Sequence, residues 1–211
     1  MTELISRDIP IFCIVASRDE VQSTTAATTR DVWTKRFGFT NWNWHGRIDR
    51  GSQMEAELLN YNEHLLKTAN FMLSIKQYAE VFRFLDLMDI FKKIIANNLD
   101  HAIIIEYNTS LRYDIPNSYA QKDISFLSMN ENGEIGPAAG LIVSKDYATA
   151  YVDFAIKKFF VNDFTLREFF IECLNPGNRP YQHFIGFKAN CTSNIDDLLV
   201  KTAEEMHTVG I

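Results

Sequence analysis

The sequence predicts an α/β protein, in which short buried strands alternate with amphipathic helices. "PIFCIVA", residues 10–16, is a compact apolar run of the kind that fills a strand covered on both faces. Residues 75–98 place Ile75, Tyr78, Ala79, Phe82, Leu85, Met88, Phe91, Ile94 and Ile95 on one broad helical face. "AIIIE", residues 102–106, follows that helix through a polar turn, and Glu106, Tyr107 and Asn108 close it. Polar groups at the carboxyl ends of such strands are where parallel sheets bind ligands.

Taken in order, the first strand stops at "SRDE", where Ser17 suits a helix cap and Asp19 and Glu20 favour the first turn. A helix then runs through "VQSTTAATTRDVWTKRF" to Gly38, a natural stop. "FTNWNWHG" alternates aromatic and polar residues and reads as a second strand. It turns Trp42 and Trp44 to one side, as core or as a stacking platform for a base or sugar ring. "RIDRGSQ" is loop, and residues 54–67 space Met54, Leu58, Leu59, Tyr61, Leu65 and Leu66 as a helix. After the helix of residues 75–98, Asn97 or Asn98 suits a left-handed cap. "DISFLS" and "AAGLIVS" read as strands on either side of the turn-rich "MNENGEIGP", and "KDYATAYVDFAIKKFF" as a helix. "DFTLREFFIECL" is a further helix, and "QHFIGF" and a helix near 195–207 complete the chain. With no repeat and no linker, residues 1–211 read as one domain, a mixed and mostly parallel sheet flanked by helices.

Composition narrows the function classes. A hydrophobic share of 46% with 16 Phe supports a well-filled interior. Net charge of −6 gives no overall attraction to nucleic acid or anionic membrane, although a local basic groove is compatible with it. No apolar run approaches the roughly 20 residues of a membrane helix. Cys13, Cys173 and Cys191 are odd in number and widely spaced. They read as buried thiols of a reducing compartment, so a cytoplasmic protein is expected. The five histidines, His45, His64, His101, His183 and His207, show no zinc-enzyme spacing. A dinucleotide fingerprint, a P-loop and a hydrolase nucleophile elbow are all missing. Gly133, Gly136 and Gly140 in "GEIGPAAG" lie between strands and read as turn chemistry.

The segment 79–108, "AEVFRFLDLMDIFKKIIANNLDHAIIIEYN", resembles a signature of glycosyltransferase family 25, best known from lipopolysaccharide galactosyltransferases. In that family a helix of the form G-E-x-G-C-x-x-S-H-x-x-x-W-x-x-I leads into an apolar strand ending in Glu-Asp-Asp. Glu80 falls on the family's glutamate, Phe91 on its tryptophan and Glu106 on its first acid. "IPIFCIVASRDE" is similar to the opening strand and following arginine, and "AAGLIVSKDYATAYVDFAIKKFFVNDF" to a later strand, serine and helix preceding an aspartate, here Asp163. The likeness is diffuse and spans residues 9–170. Asp86 and Leu87 replace the family's Ser-His, and Glu106-Tyr107-Asn108 its Glu-Asp-Asp.

The resemblance implies a GT-A-like nucleotide-diphospho-sugar transferase fold and transfer of a sugar, from a UDP-linked donor, to an acceptor hydroxyl. It implies Ser17, Arg18, Glu80, Arg83 and Tyr107 as donor-binding residues, and Asp163 and Glu106 as catalytic ones. In proteins of this fold an acidic cluster holds Mn or Mg; here Glu106 and Asn108 stand in its place, a poor site for a hard cation unless Asp114 helps. The expected acceptor is hydroxymethylcytosine in bacteriophage DNA or, otherwise, a glycan or lipopolysaccharide sugar. The DNA option needs a basic groove from Lys35, Arg36, Arg47 and Arg50. The alternative is a catalytically inactive binding module on the same fold.

Overall fold

A computed structural model of the chain describes residues 3–15, 21–46, 78–127, 140–158, 189–190 and 200–202. At its centre lies β1 (Ile11–Val15), buried at every position as its unbroken apolar run requires. It pairs in parallel with β2 (Trp42–Gly46) on one side and β3 (His101–Glu106) on the other. Beyond β3 come the other sheet strands, β5 (Ile124–Phe126), β6 (Leu141–Ser144) and β7 (Ala189–Asn190). The order across the sheet is β2-β1-β3-β6-β5-β7. β4 (Thr109–Leu111) and β8 (Val200–Thr202) form a separate antiparallel pair.

The sheet is mixed, and its parallel character is concentrated on one side. β6 runs antiparallel to both β3 and β5, while β7 joins β5 in parallel. Three of the five pairings are parallel, in keeping with the expected mixed, mostly parallel sheet, and the two antiparallel ones flank β6. "LIVS" is buried along its whole length, and a strand covered on both faces looks alike in either direction. A difference from expectation falls at the end of the chain. The helix expected near 195–207 contains β8 instead, where Lys201 is partnered by Ser110. Pairing with β4 overrides the local helical pattern.

Three α-helices are found among the described residues. The first, α1 (Thr24–Asp31), continues as a π-helical turn over Val32–Arg36 and ends before Gly38, whose φ of 78° only glycine adopts at no cost. The helix expected through residues 21–37 is interrupted: residues 21 and 22 are helical, then Ser23 takes an extended conformation. The Ser23 hydroxyl accepts from the Ala26 amide at 3.1 Å, so the serine acts as the cap of a new helix. The second helix, α2 (Tyr78–Ala96), ends as predicted at Asn98, with φ 51°. Asn98 Oδ1 then accepts from Lys145 Nζ at 2.9 Å, tying this cap to α3 (Lys145–Lys158). Ser144 caps α3 by accepting from the Tyr147 amide at 3.1 Å. Expected helices over residues 54–67 and in "DFTLREFFIECL", and the strand "QHFIGF", lie outside the described residues.

Strand alternation divides the interior between the two faces of the sheet. Ile11, Cys13, Ile103, Ile105 and Ile142 pack with Trp33 and Phe39 on the α1 face. Trp33 is fully buried, with its ring 5.4 Å from Phe39 and its Nε1 donating to the Thr109 carbonyl at 2.7 Å. Trp42 and Trp44, both half-buried, meet edge to face at 5.3 Å and pack against this cluster. The opposite face takes Phe12, Ile14 and Ile104 and is covered by α2 and α3, which meet through Phe91 edge-on to Tyr151 at 4.9 Å. No helix among the described residues is long and apolar enough to cross a membrane.

Candidate functional site

The chain leaves β1 for β2 on one side, then returns past β1 to β3 on the other. In open α/β sheets such a reversal of strand order opens a crevice at the carboxyl ends of the two strands concerned. Those ends lie together here: Ile14 is in register with Glu106, and the Tyr107 amide donates to the Ile14 carbonyl at 3.1 Å. Glu106 is half-buried and Tyr107 packs against the core of the α1 face. Asn108 completes the turn into β4 and places a buried side-chain oxygen there with no hydrogen-bond partner. Gly46 closes the strand pair on the far side of β1. A Cβ at that position would lie 2.5 Å from the Val15 carbonyl oxygen, so glycine is what allows β2 to approach so closely.

Among the residues named from sequence, Glu106, Tyr107 and Asn108 thus stand at the carboxyl end of β3, beside that of β1. Ser17 and Arg18, next in the chain after β1, lie outside the described residues, as does Asp163. Glu80 and Arg83 fall in the opening turns of α2, with their side chains outside the description.

The donor set does not fit a hard divalent cation. One carboxylate and one amide fall short of the several oxygens such an ion requires. Among the described residues no group of three or more His, Cys, Asp or Glu could hold a metal. Asp114, the expected helper, is committed elsewhere in a salt bridge with Arg7, whose guanidinium also lies 4.8 Å over the Phe39 ring. Of the residues expected to form a basic groove, two are described. Lys35 is paired with Asp31 at 2.9 Å, and the Arg36 guanidinium rests 5.2 Å over the Phe37 ring. Arg47 and Arg50 lie outside the described residues.

A polar array that sequence reasoning missed sits on the α2 face. His45 shares the cross-strand row of Ile14 and Glu106, separated from Glu106 by the width of β1. Two strand spacings put their backbones about 10 Å apart. His45 is 4% exposed and Asp86, from the middle of α2, is 0% exposed. Asp86 Oδ1 lies 3.7 Å from His45 Nε2, and Lys93 Nζ lies 3.1 Å from His45 Nδ1. An ammonium only donates, so Nδ1 is the acceptor and the ring proton resides on Nε2, facing the carboxylate. Asp86 stands where the resembled family carries serine. The signal that reveals it is its place on one helical stripe with Ile90 and Ile94, both fully buried. A charged residue in such a stripe requires a polar partner from another element.

No family model matches this chain, and no curated protein matches it at a significant level.

Proposed function

We propose that the protein is a nucleotide-sugar-dependent glycosyltransferase, with its donor in the crevice between the carboxyl ends of β1 and β3. The observation that supports this reading is the reversal of strand order about β1, with Glu106, Tyr107 and Asn108 at the carboxyl end of β3 beside that of β1. The resemblance of residues 9–170 to glycosyltransferase family 25 supplies the chemistry. In this reading an acceptor hydroxyl oxygen attacks the anomeric carbon as the bond to the nucleoside diphosphate breaks. Asp163 takes the hydroxyl proton, and Ser17 and the forked donors of Arg18 hold the departing phosphates. Glu106 and Tyr107, with Glu80 and Arg83 from α2, order the sugar. Because one carboxylate and one amide make a poor seat for Mn or Mg, cationic side chains carry the leaving charge and no step runs through a metal.

A DNA acceptor needs a basic groove from Lys35, Arg36, Arg47 and Arg50, which a glycan acceptor does not. A catalytically silent binding module is the second reading, favoured by the loss of the second and third acids after Glu106. Calorimetry with a panel of nucleoside diphosphates tests both. Saturable binding of uridine diphosphate, with slow hydrolysis of its sugar conjugates, supports the transferase, whereas binding without turnover on any acceptor supports the silent module. Absence of binding by every nucleotide removes the donor crevice. Labelled donor offered with hydroxymethylated DNA and with glycans then identifies the acceptor.

A further inference from the structure

At the opposite, amino-terminal end of β1 and β2, an open groove of about 340 Å³ lies between the sheet and the last turns of α2. Its lining includes Asn41, Asn43 and Asn97, the ammonium-bearing Lys93, and the apolar Phe12 and Leu99. Its size falls within the range of small-ligand sites, and its make-up, an apolar floor with a few convergent polar groups, is the usual one.

Two features show that the polar rim is held in place. Asn43 Nδ2 donates to Asn41 Oδ1 at 3.0 Å, and Asn41 Nδ2 to the Asp8 carbonyl at 3.4 Å, which orients both amides. Lys93 is exposed, yet its ammonium donates to His45, which is itself backed by the fully buried Asp86. A surface lysine ordinarily samples many rotamers. Here a buried carboxylate and imidazole hold its head against β2, with one of its three donors engaged by His45.

The electrostatics select the ligand class. One ammonium at the carboxyl end of α2 is offset by the partial negative charge of the helix terminus, roughly half an elementary charge. The groove is therefore nearly neutral and is a poor host for phosphate. Three primary amides supply both donors and acceptors, the pairing that vicinal hydroxyls require, and Phe12 and Leu99 suit the apolar face of a ring. We infer that this groove binds an uncharged sugar, of one or two rings, through Asn41, Asn43, Asn97 and Lys93. The site lies at the other end of the strands from the proposed donor crevice and does not rest on that reading.

The test is an NMR titration of the ¹⁵N-labelled full chain, following the side-chain amides of Asn41, Asn43 and Asn97. The probes are maltose, lactose and cellobiose, with inorganic phosphate at matched ionic strength. Saturable shifts from at least one disaccharide, with a Kd of about 1–10 mM, are expected, and phosphate should leave the amides unmoved. Asn43→Ala and Asn97→Ala, both at exposed positions, should each weaken binding at least ~5-fold, the loss of one or two hydrogen bonds. Lys93→Met should do the same. Absence of saturation by every sugar up to about 100 mM, a limit far above ordinary site affinities, overturns the inference. So does an equal response to phosphate, or unchanged affinity in all three variants. Uridine diphosphate binding measured on the same sample separates the two sites: sugar shifts without nucleotide binding sink the donor crevice alone, and the converse sinks this groove alone.

Discussion

The two faces of the sheet are secured in different ways. On the α1 side, Trp33, Phe39, Trp42 and Trp44 close over the isoleucines of β1 and β3, and the Trp33 indole meets its polar need with one backbone carbonyl. On the α2 side, where Phe91, Ile90 and Ile94 are also buried, a carboxylate and an imidazole share the interior. The first arrangement is what burial alone favours. The second costs desolvation that apolar residues of similar size would avoid, so it is retained for what it positions rather than for what it stabilises. In this structure it positions Lys93.

Breaking the apolar face should have the largest effect. Trp33→Ala removes a fully buried indole and leaves the Thr109 carbonyl without its donor. A loss of about 3–5 kcal/mol is expected in urea unfolding. Gly46→Ala comes next, because the new methyl carbon would meet Val15 Cγ2 at 2.6 Å and the carbonyl oxygen more closely still. β1 and β2 must part at their carboxyl ends, at a cost of about 1–3 kcal/mol.

The polar face gives the sharper comparison. Asp86→Leu alone strands the His45 N–H in an apolar setting and should cost about 1–3 kcal/mol. Adding His45→Leu should recover most of that, bringing the double variant within about 1 kcal/mol of the parent. A double variant as weak as the single one would show that the array does stabilise the fold. The smallest effect belongs to the surface. Lys35→Ala breaks an exposed pair one helical turn long and should shift stability by only a few tenths of a kcal/mol, within about 0.5.

Much of this frame can be read from the residues. The apolar runs of β1 and β3, the long stripe of α2 and its left-handed cap at Asn98 all have local causes, and local causes leave local marks. Direction along the sheet does not: "LIVS" is apolar at each position that matters whichever way it runs, so the turn to antiparallel at β6 is set by tertiary pairing. The break at Ser23 went unread because serine is acceptable both inside a helix and at its cap. Of the candidate site, Glu106 to Asn108 is legible because a strand that ends in polar groups is a short-range pattern. His45 and Asp86 are not, because their pairing joins β2 to α2 across a long stretch of chain, and each alone has an ordinary explanation.

The pairing of β4 with β8 has a bearing on biosynthesis. Thr109 finds its partner in Thr202, and Ile124 finds its own in Ala189, so both partners leave the ribosome well after the strands they complete. Until then β4 and the outer rim of β5 present bare amides and carbonyls to their surroundings, a template for intermolecular association. Ribosome-stalled or truncated products that stop short of residue 189 should therefore be the species most prone to aggregate.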